Sequence, residues 1–358
     1  MAPKKPFVSV CTPTFNRRPF IQNMFECFRN QDYPKSRIEW IIVDDGTDKI
    51  KDLIDAANIP QIKYIEVPNR MRLGEKRNYM HSFTKGSIIV YMDDDDYYPP
   101  ERISHAVQRL TENKNALCAG ASEIYVYFKH IQKMYQAGPY SDTHATAGTF
   151  AFRRELLEKT RYEDTASLAE ERAFLKEYTI PFVQLDPLKT ILVFSHNHNT
   201  FDKRKLLDQG ENQYFKVSPK SVDLFIRNPN EQNIKKFFMV DIDSLLEKYS
   251  PGDPSMKPDV LAQIKEIEAT RSKMNEQLQK ENAMTNIMFS EDGKEPRQLS
   301  SNEVVHIIQT QKQQLEEMSN RMKEMEQIII RLQKQLLQKV KETHPIYSKT
   351  TPEIEILS

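Results

Sequence analysis

Asp93, Asp94, Asp95 and Asp96 follow one another directly. Four adjacent carboxylates repel and raise one another's pKa unless a cation neutralises them. Hard divalent cations, Mg2+ or Mn2+, seek such oxygens and often share them with the phosphates of a nucleotide. The run follows Ile88–Met92, a short apolar, β-branched stretch that reads as a strand buried on both faces. Ligand sites of open α/β sheets lie beyond the carboxyl ends of their strands, so position and composition together predict a metal–nucleotide site. The plainer alternative is a solvated acidic turn. Against it, Pro99-Pro100-Glu101 reads as a helix start, which sets the aspartates between two ordered elements.

The elements that must hold these aspartates are legible on either side. Phe7–Thr12, Ile38–Val43 and Ile62–Val67 read as strands, and helices are expected from Pro19, over 48–57 and over 73–84. Ile21, Met24, Phe25 and Phe28 form the apolar stripe of a core-facing helix. Strand alternating with helix predicts an α/β fold with a mostly parallel sheet. Ala121–Phe128 and Ile131–Ala137 alternate around Lys129-His130 as a β-hairpin. The chain has 358 residues, enough for one large or two medium domains. Its net charge is zero and its pI about 7.1, so it lacks the basic footprint of a nucleic-acid binder. Cys11, Cys27 and Cys118 show no CxxC spacing and suggest a reducing compartment. No apolar run reaches membrane-span length and the first residues lack an apolar signal core, so a soluble, cytoplasmic protein is expected.

Four segments carry a family resemblance: Val8–Arg17, Val43-Asp44-Asp45-Gly46, Gly74-Glu75-Lys76-Arg77-Asn78, and Met92–Asp96 with Pro100. In order and spacing the chain resembles the family 2 glycosyltransferases of the GT-A fold, with some likeness to those of large DNA viruses. The match covers about 5–110 well and 140–205 more loosely. The resemblance implies that Thr12, Pro13, Thr14, Asn16 and Arg17 line a nucleotide-sugar pocket and that Asp44 or Asp45 accepts from the base. It implies that Lys76 and Arg77 offset the phosphates or buttress the aspartates. Asp94 would face the ribose, and Asp95, with Asp93 nearby, would hold Mn2+ or Mg2+. Glu171 stands in the slot of the carboxylate that deprotonates the acceptor hydroxyl, with Glu170 as the fallback, although the family commonly has Asp there. The family also often supplies a late histidine to the metal. Two histidines at i, i+2 on a strand point to opposite faces, so His196 is preferred over His198. Lys203 and Arg204, with Lys205, follow where they could close on the diphosphate.

From Asn228 the composition changes, and Pro251-Gly252-Asp253-Pro254 marks a break. Val260, Ile264, Ile267, Met274 and Leu278 recur at helical spacing. Beyond a turn-rich stretch at 290–296, Ile308, Leu315, Met322, Ile329 and Leu336 occupy a positions, and Met318, Met325 and Leu332 occupy d positions. The expected organisation is a GT-A domain over 1–227, a linker with short helices over 228–254, a helical hairpin or coiled-coil oligomerisation region over 255–342, and a flexible tail over 343–358. A parallel homodimer is expected, because Arg321 (g) and Glu326 (e) would then meet across chains. The function expected is metal-dependent, inverting transfer of a sugar from a UDP- or GDP-sugar to a glycan or protein hydroxyl. Two other readings remain. Tyr91-Met92-Asp93-Asp94 spells the motif of nucleotidyl-transferase palms, and a coiled-coil scaffold could carry a catalytically dead sugar-nucleotide fold.

Overall fold

The computed structural model describes residues 5–168, 170–284, 288–290, 295, 297–299 and 301–343. Two compact units divide at Ala269. The first is built on a seven-stranded sheet. Its strands are β1 (Val8–Thr14), β2 (Ile38–Asp44), β3 (Ile62–Glu66), β4 (Ile88–Tyr91), β5 (Cys118–Gly120), β8 (Ala151–Arg153) and β9 (Phe182–Gln184), ordered β3-β2-β1-β4-β8-β5-β9. β2, β3 and β4 run parallel to their neighbours in the β3-β2-β1-β4 half, and β8 is antiparallel to β4 and β5. The mostly parallel α/β sheet expected from the sequence is present.

Strand periodicity explains how both faces are filled. Val8, Val10, Trp40, Ile42, Ile88 and Val90 enter one apolar core, and Cys11, Ile41, Val43, Ile89 and Tyr91 enter another. Helices α1 (Arg18–Arg29), α2 (Lys51–Ala57), α3 (Leu73–His81) and α4 (Arg102–Glu112) connect or cover these strands. α1 buries the stripe read from the sequence, together with Phe20. The expected hairpin forms from β6 (Ile124–Phe128) and β7 (Lys133–Ala137). It belongs to a second sheet, ordered β10-β6-β7-β11, with β10 at Leu192–Ser195 and β11 at Phe215–Val217. A bridge between Tyr97 and Leu192 ties the aspartate segment to β10. A one-turn helix, α5 (Glu171–Phe174), precedes β9.

Residues 228–254, expected as a linker with short helices, do form short helices, and these are packed into this unit. α6 (Gln232–Lys236) runs through a wide turn into α7 (Ile242–Glu247). Ile242 and Leu246 close over Phe20 of α1, and Phe238 stacks on Phe194 at 4.2 Å. The unit also takes in the first turns of α8 (Pro258–Met284), where Val260 is buried. Composition alone hides this, because a few apolar anchors suffice to seat a polar segment.

The second unit contains the rest of α8, a short strand pair, β12 (Met288–Phe289) with β13 (Arg297–Gln298), and α9 (Ser301–Thr343). The eight a and d residues of the α9 heptads are each more than half exposed. The expected tail beyond Thr343 lies outside the described residues. Among the described residues no helix is long and apolar enough to cross a membrane.

Candidate active site

β1 lies between β2 and β4, with Thr14 opposite Asp44 and Cys11 opposite Tyr91. This register gathers three strand ends: Asn16-Arg17 after β1, Asp45 after β2 and Asp93–Asp96 after β4. Asn16 adopts a left-handed φ of 52°, a conformation asparagine tolerates better than most residues. Its side chain accepts from Asp48 N–H at 2.9 Å and donates to the Pro251 carbonyl at 2.8 Å. The turn is thereby aimed, and Arg17 is carried into the aspartates.

The Arg17 guanidinium is buried, with Nη2 3.2 Å from Asp95 Oδ2 and Nε 3.6 Å from Asp94 Oδ1. His196, just beyond β10, places Nε2 3.5 Å from the same Asp95 oxygen. Its ring packs on Phe20 at 4.8 Å and touches the Asn199 amide at 2.8 Å. These neighbours separate the aspartates electrostatically. Burial opposes ionisation of Asp95, but Arg17 and then His196 override it and hold the carboxyl well below its ordinary range. Burial and the Asp95 charge push Asp94 up to about 7, and raise Asp96 well above normal. Burial lowers His196 to about 4 despite Asp95. At neutral pH an ionised carboxylate therefore faces a neutral imidazole.

A second buried cluster centres on Arg77 of α3. Its Nε lies 3.0 Å from Glu170 Oε1 and its Nη2 3.9 Å from Asp93 Oδ1, with the guanidinium over the Tyr91 ring at 4.4 Å. Burial raises the Asp93 carboxyl, with Arg77 opposing. Beside Glu170, Glu171 is pushed up to about 7 by burial and then by the Glu170 charge, while Arg77 opposes. Glu170 is thus held in an ion pair and Glu171 is poised to exchange a proton near neutral pH.

The profile of glycosyl transferase family 2 matches residues 9–165. Over that stretch the chain is similar to this family. An Escherichia coli protein named as a colanic acid biosynthesis glycosyl transferase is 30% identical over 147 residues, which are 38% of this chain and 51% of that protein. A poly(ribitol-phosphate) β-N-acetylglucosaminyltransferase of Staphylococcus aureus is 28% identical over 108 residues, 29% of this chain and 19% of that one. The chain thus spans about half or less of the length of these relatives. Among solved structures, a mannosyltransferase from Pyrobaculum calidifontis in complex with GDP-Man and Mn2+ superposes with a TM-score of 0.45 at 15% identity, covering 66% of this chain and 70% of that one.

Within the first unit the expected site residues divide. Arg17, Asp94, Asp95 and His196 come together, and the charge of Lys203 reaches Asp95, Asp96 and His196. Thr14 lies against Asp94, whereas Thr12 is a core contact that donates to Met92 O at 2.6 Å and accepts from Trp40 Nε1 at 2.9 Å. Pro13 lies within β1 opposite Val43. Asp44 accepts from Gly46 N–H, Ile50 N–H and the Tyr64 hydroxyl, so its oxygens shape a turn. Asp45 accepts from Met71 N–H at 2.6 Å and pairs with Lys76. Arg77 is buried beside Glu170, with the partly exposed Asp93 3.9 Å away. Arg204 pairs with Asp202 on the surface.

Asp95 and His196 converge, Asp93 turns to Arg77, and among the described residues no three His, Cys, Asp or Glu side chains form a ready-made cage. An ionised carboxylate facing a neutral imidazole still fits a divalent cation whose remaining positions are filled by nucleotide phosphates. Reading the sequence missed Arg70, Ser167 and Lys257, which line a small cavity beside Phe15 and Lys76. Lys257 carried no signal, since it precedes an ordinary-looking helix start.

Proposed function

We propose that the chain is a metal-dependent, inverting glycosyltransferase that moves a sugar from a nucleoside diphosphate to a hydroxyl acceptor. The observation that carries this reading is the Arg77 junction. One buried guanidinium ties Asp93 of the aspartate segment to Glu170, so the donor side and the neighbouring Glu171 share one electrostatic frame. Glu171 takes the proton of the acceptor hydroxyl as that oxygen attacks the anomeric carbon, and the bond to the diphosphate breaks on the opposite face. Asp95 and His196 would hold Mn2+ or Mg2+, which supplies Lewis-acid neutralisation of the departing diphosphate when bound. Arg17 orients Asp95, and Lys203 adds positive charge near the aspartates. The nucleotidyl-transferase reading is disfavoured because the aspartates lead into α4 and not into a hairpin.

Asp95→Ala should abolish Mn2+-dependent binding of UDP and GDP while leaving the melting temperature close to wild type. Titration calorimetry checks this, and unchanged affinity would remove Asp95 from the metal site. Transfer from a panel of nucleotide sugars, with no nucleotide incorporation, would separate the reading from both alternatives.

The reading extends to self-association through α9. One helix cannot bury its own exposed heptad seam, and a second copy in parallel would cover it while pairing Arg321 with Glu326. Light scattering should find the full-length chain dimeric and a chain ending at Ala269 monomeric. A monomeric full-length chain at micromolar concentration would remove the dimer.

A further inference from the structure

Three cations surround one aromatic ring at the edge of the candidate site. Arg70 Cζ lies 5.0 Å, Lys257 Nζ 5.7 Å and Lys76 Nζ 5.8 Å from the centroid of Phe15. They line a cavity of about 70 Å3 together with Ser167 and Thr200. Arg70 is paired with Asp259, Lys76 with Asp45, and nearby Arg17 with Asp94 and Asp95. Lys257 differs, because its hydrogen-bond partner is the neutral Thr200 hydroxyl at 2.8 Å. A partly desolvated ammonium among like charges is unfavourable until an anion joins it. Accordingly, burial and the Arg17 charge bring Lys257 down to about 7, with Asp94 and Asp95 opposing.

The position of Lys257 is built into the fold. On one side, the Pro251 carbonyl is held by Asn16. On the other, Asp259 accepts from Ser167 Oγ at 2.8 Å and pairs with Arg70, and Gln263 Oε1 accepts from Ser167 N–H at 2.9 Å. Val260 is buried beneath them. The first turn of α8 therefore lines this cavity, and the lysine before it lies within electrostatic reach of Asp94 and Asp95.

We propose that Lys257 binds the diphosphate of the nucleoside diphosphate donor, a contact supplied from beyond the family-matched residues. This rests on the glycosyltransferase reading of the same site. The ammonium would bond to phosphate oxygens in place of Thr200, joining the cation group across the cleft from Asp95.

The test is titration calorimetry on the full chain with Mn2+, using UDP and GDP against uridine and guanosine. Lys257→Ala should weaken UDP or GDP binding by about tenfold to a hundredfold, the range of a charge-assisted hydrogen bond, and leave nucleoside binding unchanged. Lys257→Arg should retain most of the affinity, which separates loss of charge from loss of fold. Undiminished UDP and GDP affinity in Lys257→Ala, or an equal loss for the nucleosides in a variant that melts normally, would overturn the assignment. A wild-type chain that binds neither diphosphate would remove the donor reading along with it.

Discussion

Glu171→Gln is expected to bind its donor normally and to transfer the sugar about 10²–10⁴-fold more slowly, the usual cost of losing a positioned general base. Glutamine keeps the size and polarity of the side chain but cannot take a proton from the acceptor. Two observations favour Glu171 over its neighbour. Glu170 is committed to Arg77 at 3.0 Å. Glu171 has been pushed up to about 7 by burial and by Glu170, which matches a base that must accept and release a proton near neutral pH. The sign of the pH dependence follows: only the ionised carboxylate can act, so kcat/KM should rise with pH through about 7 and fall below it. Single-turnover transfer measured across pH checks both statements. A wild-type rate in Glu171→Gln would move the role to Glu170 or to another group.

Arg77→Met should cost about 3–5 kcal/mol of stability, the typical effect of removing one partner from a buried ionic network. Arg77 and Glu170 are paired in the interior, with the partly exposed Asp93 3.9 Å from the guanidinium, and without that guanidinium Glu170 would be left buried with no counter-charge and repelled by Asp93. For a unit of this size the loss corresponds to a fall in melting temperature on the order of 10 °C. Arg77→Lys should rescue little, because a point charge cannot reach both carboxylates while lying flat on Tyr91. Urea denaturation of the variants measures this. If Arg77→Met instead melts like wild type and merely weakens nucleotide affinity, Arg77 is a phosphate ligand, as the family pattern suggests.

These expectations rest on features of unequal legibility. The strands around the site could be read directly as short apolar runs between turns, and the extended backbone they form then sends Val8 and Val10 into one core and Cys11 into the other. The α1 stripe was equally plain. So was the aspartate run: four like charges after a buried strand are costly whatever surrounds them, and the sheet direction puts them at a ligand-binding edge. The α9 heptads were readable for the same reason, because helical periodicity is a local property.

Which face each charged side chain presents was decided by partners far along the chain. Lys76 and Arg77 are neighbours on a helix with little amphipathic pattern. One is turned to Asp45 and the other to Glu170, 93 residues away. Asp44 and Asp45 look alike in sequence, yet Tyr64 and two backbone N–H groups draw Asp44 into a turn. The unit boundary at Ala269 and the arrival of Lys257 beside Phe15 depend on Asn16 and Ser167 gripping residues 235 and 92 positions later. Local sequence carries backbone propensity and apolar period, which are short-range. A buried charge is placed by whichever counter-charge the topology brings within a few ångströms, and only the assembled tertiary structure specifies that.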